Sequence, residues 1–220
     1  LRNMTLGGGD VRAVGAWNQT LGDSNVVVCV LDSGVDWRHP DLGGDHPDKV
    51  NGAIWTNWIE YYGTPGVDDD ANGKVDDIRG WDFVTGVTGW PGEDVQTPDN
   101  DPSDWEGHGT ACAGVAAAIT NNGIGIAGVA PEATIVGLKA CTKVGYCFAD
   151  SVAAALRYAG DQQLDIVNLS LYADPYHMYS TTTKKNMFSR IAVMGAIYLR
   201  HPPLTPLAVC THMTPEKMGI

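Results

Sequence analysis

VVVCVLD, residues 26–32, is an unbroken run of β-branched and aliphatic side chains closed by an acid. An apolar run of this length without polar alternation is what a strand buried on both faces of a parallel sheet requires. TIVGLKA at residues 134–140 and DIVNLS at residues 165–170 have the same character, and GWDFV at 80–84 and IAVMGA at 191–196 add shorter candidates. Helical segments stand between them: DVRAVGAW (10–17), GHGTACAGVAAAI (107–119) and DSVAAALRYA (150–159). Asp150 or Ser151 is the natural N-cap of the last. The middle segment is small and apolar all round, which predicts a buried helix. Residues 36–66, rich in Pro, Gly and Trp, read as a surface excursion. Strands alternating with helices predict an α/β fold, a central parallel sheet flanked by helices. Ligand sites of such sheets lie at the carboxyl ends of the strands. Asp32 and Ser170 both stand at such an end.

The chain of 220 residues carries 26 acidic and 14 basic side chains, a formal net charge of −12. An apolar fraction of 44% with 18% charged residues is that of a globular protein with a real core. A pI near 4.6 argues against a nucleic-acid or anionic-membrane partner, because both need a basic surface. No apolar run reaches the 18 or more residues of a membrane span. The sequence opens at Leu1 without a leader, which reads as a processed chain or a fragment.

The acid is concentrated. Between Asp68 and Glu106 there are 12 carboxylates against Lys74 and Arg79. Charges packed this closely repel unless water or a cation screens them. Asp68, Asp70 and Asn72 alternate, Gly73 follows and Asp76 comes next, the front of a calcium loop with oxygen ligands at alternate positions. Arg79 occupies the twelfth position, where a helical calcium hand needs a bidentate Glu. The pattern therefore predicts a calcium loop that is not a helix–loop–helix sensor.

Three blocks stand in order: VVVCVLDSGVDWRHPDL (26–42), EGHGTACAG (106–114) and DIVNLSL (165–171). Together with GIAGVAP (125–131) they resemble the subtilisin-like serine proteases, the subtilases, over roughly residues 8–171. The triad of that family runs Asp, His, Ser along the chain. The resemblance implies the subtilisin-like three-layer fold, here with its C-terminal part missing, and a serine endopeptidase of the Asp-His-Ser type. It implies Asp32 and His108 as catalytic residues, His108 moving the proton and Asp32 orienting the imidazole. It makes His39, within His-Pro-Asp-Leu, a structural residue. It places Ser170 and Leu171 on the strand edge that binds an extended peptide, with Gly145 in the loop along the other side. Tyr172 and Ala173 stand where the family commonly has glycines, so pocket width departs from the family pattern. Ala111 stands where many relatives have a second His. The resemblance further implies a second calcium site on Asp41 and Asn122; a plain helix-ending Asn-Asn-Gly turn satisfies the same residues.

Cys29 and Cys112 read as small apolar fillers of a strand and a helix. Cys141 and Cys147 flank a five-residue stretch that can turn, and in an oxidising compartment they are expected to pair. No Cys block carries the signature of a thiol protease.

The family's nucleophile block, Gly-Thr-Ser-Met-Ala, does not occur in the chain, nor does the oxyanion Gly-Asn expected after residues 191–196. The expectation is an incomplete peptidase unit at residues 1–196, inactive by itself, with a tail at 197–220 that resembles nothing in the family and reads as a slipped coding frame. The parent is expected to be a secreted, extracellular, calcium-stabilised monomer acting on peptide or protein substrates. A peptide-binding pseudoprotease and a calcium-binding structural module are the alternatives.

Overall fold

The computed structural model describes residues 13–44, 53–85, 97–172 and 192–198, the last segment as backbone. Among these residues five strands form one sheet: β1 (Val27–Asp32), β2 (Gly80–Asp82), β3 (Thr134–Lys139), β4 (Ile166–Tyr172) and β5 (Ala192–Tyr198), in the order β2-β3-β1-β4-β5. β1 lies between β3 and β4, parallel to both, with Asp32 opposite Lys139 and Val28 opposite Ile166. β2 is also parallel to β3. Among the described residues four α-helices accompany the sheet: α1 (Ala13–Trp17), α2 (Trp58–Tyr62), α3 (His108–Ala117) and α4 (Ala149–Asp161).

The unbroken apolar reading of β1 has a direct structural cause. Cys29 and Leu31 face one core with Val136, Leu138, Val167 and the α4 residues Ala155, Tyr158 and Ala159. Val30 faces the opposite core with Ile135, Val35, Leu42 and the α3 residues Ala113 and Ala117. Helix, sheet and helix therefore make three layers, the expected α/β fold, with β1 at its centre.

Three local expectations need correction. β5 runs antiparallel to β4, from Ile166 opposite Tyr198 to Tyr172 opposite Ala192, so the sheet is mixed at this edge. An antiparallel neighbour does not require a crossover helix, and residues 173–191 carry no helical apolar period in their sequence. Helix α4 begins one residue early. Phe148 is its N-cap, without a side-chain cap bond, and Asp150 instead accepts from the Ser151 N–H. Helix α3 is buried along one stripe only, Gly109, Ala113 and Ala117, while Val115 on its other side is 52% exposed. Small residues at this i, i+4 spacing let the helix sit close to the sheet. Its outer side, with Ala111, Gly114, Val115 and Ile126, lines a cavity of about 420 Å³. Cys141 and Cys147 are joined by a disulfide, the pairing expected for an oxidising compartment. Of the tail expected at 197–220, Ile197 and Tyr198 close β5, and the remainder lies outside the described residues.

Candidate active site

β1 delivers Asp32 to its carboxyl end, where the residue is 2% exposed. The Asp32 carbonyl accepts the N–H groups of Ala140 and Cys141 at 2.9 and 3.0 Å, which ties the end of β1 to the turn after β3. Its Oδ1 accepts from the Ser33 N–H at 2.7 Å and lies 2.8 Å from His108 Nδ1. Oδ2 is buried and has no hydrogen-bond partner among the described residues.

His108 opens α3 directly after Gly107, whose φ of 104° is open to glycine and strained for other residues. Gly109 is required for a different reason. A Cβ there would lie 2.0 Å from the Gly34 carbonyl oxygen and 3.0 Å from the Asp32 Cβ, so a side chain would push the helix off the Asp32 turn. The His108 side chain is 51% exposed. Its imidazole is raised above the ordinary 6.5, first by the hydrogen bond to Asp32, then by the negative charge of Asp32, Glu106 and Asp104, with partial burial opposing. The arrangement leaves Nε2 as the nitrogen able to exchange a proton with a substrate or nucleophile.

Asp104 was not singled out by the sequence beyond its acidity, yet it holds this corner together. Its carboxylate accepts the N–H groups of Glu106, Gly107 and Thr110 and the Thr110 hydroxyl at 2.6–2.9 Å. It also accepts the Ser33 hydroxyl at 2.9 Å, and Ser33 Oγ in turn accepts from Gly109 N–H. Burial would raise this carboxyl, but the hydrogen bonds from Gly107 and Thr110 outweigh it and hold it below the usual range. The available signal was an Asp four residues before the helix-opening His, a position from which it can cap the first turn.

Cys112 is a half-buried free thiol one turn after His108, with Sγ 3.9 Å from Nδ1. It lines the site, which the filler reading missed. Burial raises the thiol, opposed by a hydrogen bond with Ser170. Ser170 also accepts from Asn168 Nδ2 at 3.0 Å. Pairing of β4 with β1 ends at Asn168, and β5 runs along the other edge of Ser170 and Leu171. Leu171 packs against the α4-side core. Gly145 sits in the exposed turn between Cys141 and Cys147, with φ of 81°.

The acidic loop is more connected than its motif. Asp70 comes together with Glu60 and Asp77, one oxygen from each lying within 4.8 Å of the others. Asn57 Nδ2 and Asn72 Nδ2 each donate to both Asp70 and Asp77, at 2.7–3.0 Å. Asp68 and Asp76 border this group without joining it: Asp68 accepts from the Asn72 and Gly73 N–H groups, and Asp76 from Gly66 N–H. Asp77 is fully buried; burial raises its carboxyl against hydrogen bonds from Tyr158, Asn72 and Asn57. The sequence motif missed Glu60, Asn57 and Asp77, which no fixed spacing links to it. Asp41 and Asn122 do meet. Asp41 Oδ1 accepts from Asn122 Nδ2 and Oδ2 from the Ile126 N–H, each at 2.8 Å. His39 caps the short 3-10 turn Pro40–Leu42 by accepting from the Asp41 N–H.

The site thus sets an Asp at the end of the central strand against a His at the start of a small-residue helix. The profile of the Subtilase family matches residues 23–197, and the chain belongs to that family. It is 35% identical over 171 residues to the "Thermophilic serine proteinase" of Bacillus sp. (strain AK1), covering 78% of this chain and 31% of that protein. It is 32% identical to "Subtilisin-like protease 1" of Plasmodium berghei (strain Anka), over 80% of this chain and 26% of that protein. With "Thermitase" of Thermoactinomyces vulgaris it shares 33% identity, over 73% of this chain and 42% of the relative. The chain thus spans about a quarter to two-fifths of the length of these relatives. Among solved structures, "Sphericase" aligns with a TM-score of 0.44 and 28% identity, over 70% of this chain and 40% of that one.

Proposed function

We propose that the chain supplies the acid–base half of a subtilisin-like serine endopeptidase, with His108 as the proton carrier and Asp32 as its orienting partner. The observation that carries this reading is the 2.8 Å contact of His108 Nδ1 with the buried Asp32 carboxylate, in a chain of the Subtilase family. In that role Asp32 holds a proton on Nδ1 and frees Nε2 to take one from a hydroxyl nucleophile and return it to the leaving amine. A positioned base of this kind contributes roughly 10²–10⁴-fold to the rate. The nucleophile and oxyanion donor belong to sequence blocks that the 220 residues do not contain. Loss of the nucleophile alone costs about 10⁶ in turnover. Purified chain is therefore expected to leave unfolded casein intact and to resist labelling by a fluorophosphonate. Labelling of one serine that disappears in His108→Ala would overturn the reading of an incomplete site.

The peptide is proposed to pair as an extended strand beside Ser170 and Leu171, with the Gly145 turn opposite. The proposed peptidase unit takes in β5 through Tyr198, two residues past the boundary expected at 196, and leaves residues 199–220 apart. A secreted, extracellular monomer is the proposed setting, and the Cys141–Cys147 disulfide supports an oxidising compartment. Among the described residues no helix is long and apolar enough to cross a membrane.

Calcium is proposed as the structural cofactor. Glu60, Asp70 and Asp77 offer only oxygen, the donor chemistry of a hard cation. The Asn57 and Asn72 amides, which bridge Asp70 and Asp77 through N–H, would present carbonyl oxygens if turned over. Asp41 with Asn122 forms the second proposed site, again with an amide that would turn. Thermal melts with calcium and with chelator are expected to differ, and saturation to about 100 times the dissociation constant adds about 2.7 kcal/mol. Superimposable curves would remove calcium from the account.

A further inference from the structure

We propose that the outward face of α2, an exposed trio of Trp58, Tyr61 and Tyr62 with Asp69 beside it, is the docking surface for an arginine-bearing cationic segment of a protein partner. The helix is the five residues WIEYY, of which Glu60 alone is buried. Trp58, Ile59, Tyr61 and Tyr62 are 36–75% exposed, and none of them belongs to either core. Large apolar side chains gathered in one exposed patch mark an interaction surface, whereas single ones are ordinary. The fold does not need them there, because α2 is anchored through Glu60, whose carboxylate accepts the N–H groups of Asp69, Asp70 and Asp76. The rings are also set in advance. Trp58 and Tyr62 stack, with centroids 5.7 Å apart and planes inclined by 20°. Tyr61 stands edge-on to both, at 5.5 and 5.1 Å. Rings held in place before binding lose little conformational freedom on binding.

The charge around the trio decides which partner fits. Asp69 is exposed and stands against the end of the helix: a Cβ on Gly63, the C-cap, would lie 2.1 Å from its Oδ2. That oxygen also accepts the Thr64 N–H at 2.7 Å, so the carboxylate is fixed next to Tyr62. The two basic side chains between Asp68 and Glu106 both turn to the protein itself. Lys74 Nζ lies 4.9 Å from the centre of the Trp81 ring, and the buried Arg79 donates to the Trp55 carbonyl and the Thr56 hydroxyl. The patch is therefore aromatic and anionic together. A guanidinium meets both demands, since it stacks on an aromatic face within about 6 Å of the ring centre and pairs with a carboxylate through its N–H fork. An ammonium supplies the charge without the planar stack. A second copy of the chain is the poorer occupant, because a formal net charge of −12 on each copy opposes association.

The test is fluorescence anisotropy of the 220-residue chain with a short fluorescein-labelled peptide that alternates Arg with Gly, in calcium-containing buffer at about 0.15 M salt, where distant charges are screened. Counterparts with Lys or Glu in place of Arg are titrated alongside. The Arg peptide is expected to bind about threefold tighter than the Lys peptide and at least about tenfold tighter than the Glu peptide. Trp58→Ala and Tyr62→Ala, each checked for folding by circular dichroism, are expected to weaken it by about tenfold. Asp69→Asn is expected to weaken it by about threefold. Trp105→Ala removes an exposed aromatic elsewhere in the acidic segment and is expected to change nothing. Absence of binding, or an Arg peptide that binds Trp58→Ala and Tyr62→Ala as tightly as the unaltered chain, overturns the proposal and leaves at most attraction by net charge. A dimer of the free chain in sedimentation that dissociates in Trp58→Ala overturns it too, by making a second copy the occupant. No readout requires hydrolysis, so this surface and the peptidase reading can fail separately.

Discussion

Replacement of Lys139 by Met is expected to destabilise the fold by about 3–5 kcal/mol, because it strands a buried carboxylate. Lys139 is 1% exposed at the end of β3, and its Nζ lies 2.6 Å from Asp82 Oδ2 on the neighbouring strand β2. Burial pushes the Asp82 carboxyl up to about 7, against the pull of the Lys139 ammonium. Its folded value lies above its unfolded one, so between the two values the folded state binds more protons. This group's contribution to stability therefore falls as pH rises through that window. Without the ammonium the folded carboxyl moves higher still. The deficit of Lys139→Met is thus expected to be small near about pH 5, where a neutral Asp82 needs no cation, and to grow towards about pH 8. The double variant Lys139→Met with Asp82→Leu is expected to recover most of the loss, since an apolar pair of similar volume replaces a buried ion pair at little cost. Urea unfolding at both pH values decides the matter. A deficit that is independent of pH, and equal in the double variant, would show that packing of the lysine stem is what counts.

The second large effect is expected at Glu60→Ala, with a loss of about 3 kcal/mol or more. Glu60 is 2% exposed on α2. Its Oε1 accepts the Asp69 and Asp70 N–H groups at 2.7 and 3.0 Å, and Oε2 accepts the Asp76 N–H at 2.9 Å. Three hydrogen bonds to one buried carboxylate order a loop whose own charges repel. Alanine leaves all three donors without a protein acceptor and detaches the loop from α2. Glu60→Gln is expected to cost less, since its carbonyl still accepts, although its amide meets the Asp76 N–H as donor against donor. Equilibrium unfolding in calcium and in chelator reads both variants. Glu60→Ala is expected to lose most of the calcium-dependent increment as well. An unchanged midpoint would mean that the loop is ordered from elsewhere.

These two residues mark where the sequence stopped being legible. β1, α3 and the Asp32–His108 relation could be read because each is encoded locally. A two-sided strand needs a continuous apolar run, a closely packed helix needs small residues at i, i+4, and the two ends need particular glycines. Cys112 was legible by spacing, four residues after His108, but its apolar neighbours concealed that it faces the site. Glu60 and Asp77 join Asp70 only through tertiary packing, and Lys139 within TIVGLK looks like a solvated strand end. Its pairing depends on β2 lying beside β3, which no local pattern states. The antiparallel direction of β5 is equally a property of the assembled sheet.

The central claim is that Asp32 and His108 act as a coupled pair, and the most direct measurement is an NMR pH titration of the His108 imidazole. The chain is expected to give a midpoint above the ordinary 6.5, raised first by the hydrogen bond to Asp32. A folded value above the unfolded one means that the pair's contribution to stability is present in full below the unfolded value and is lost as pH rises through the folded one. In Asp32→Asn the midpoint is expected to fall, because both the acceptor and the negative charge at 2.8 Å are weakened or gone. A midpoint at or below 6.5 that does not move in Asp32→Asn would contradict the pairing, and the peptidase reading with it.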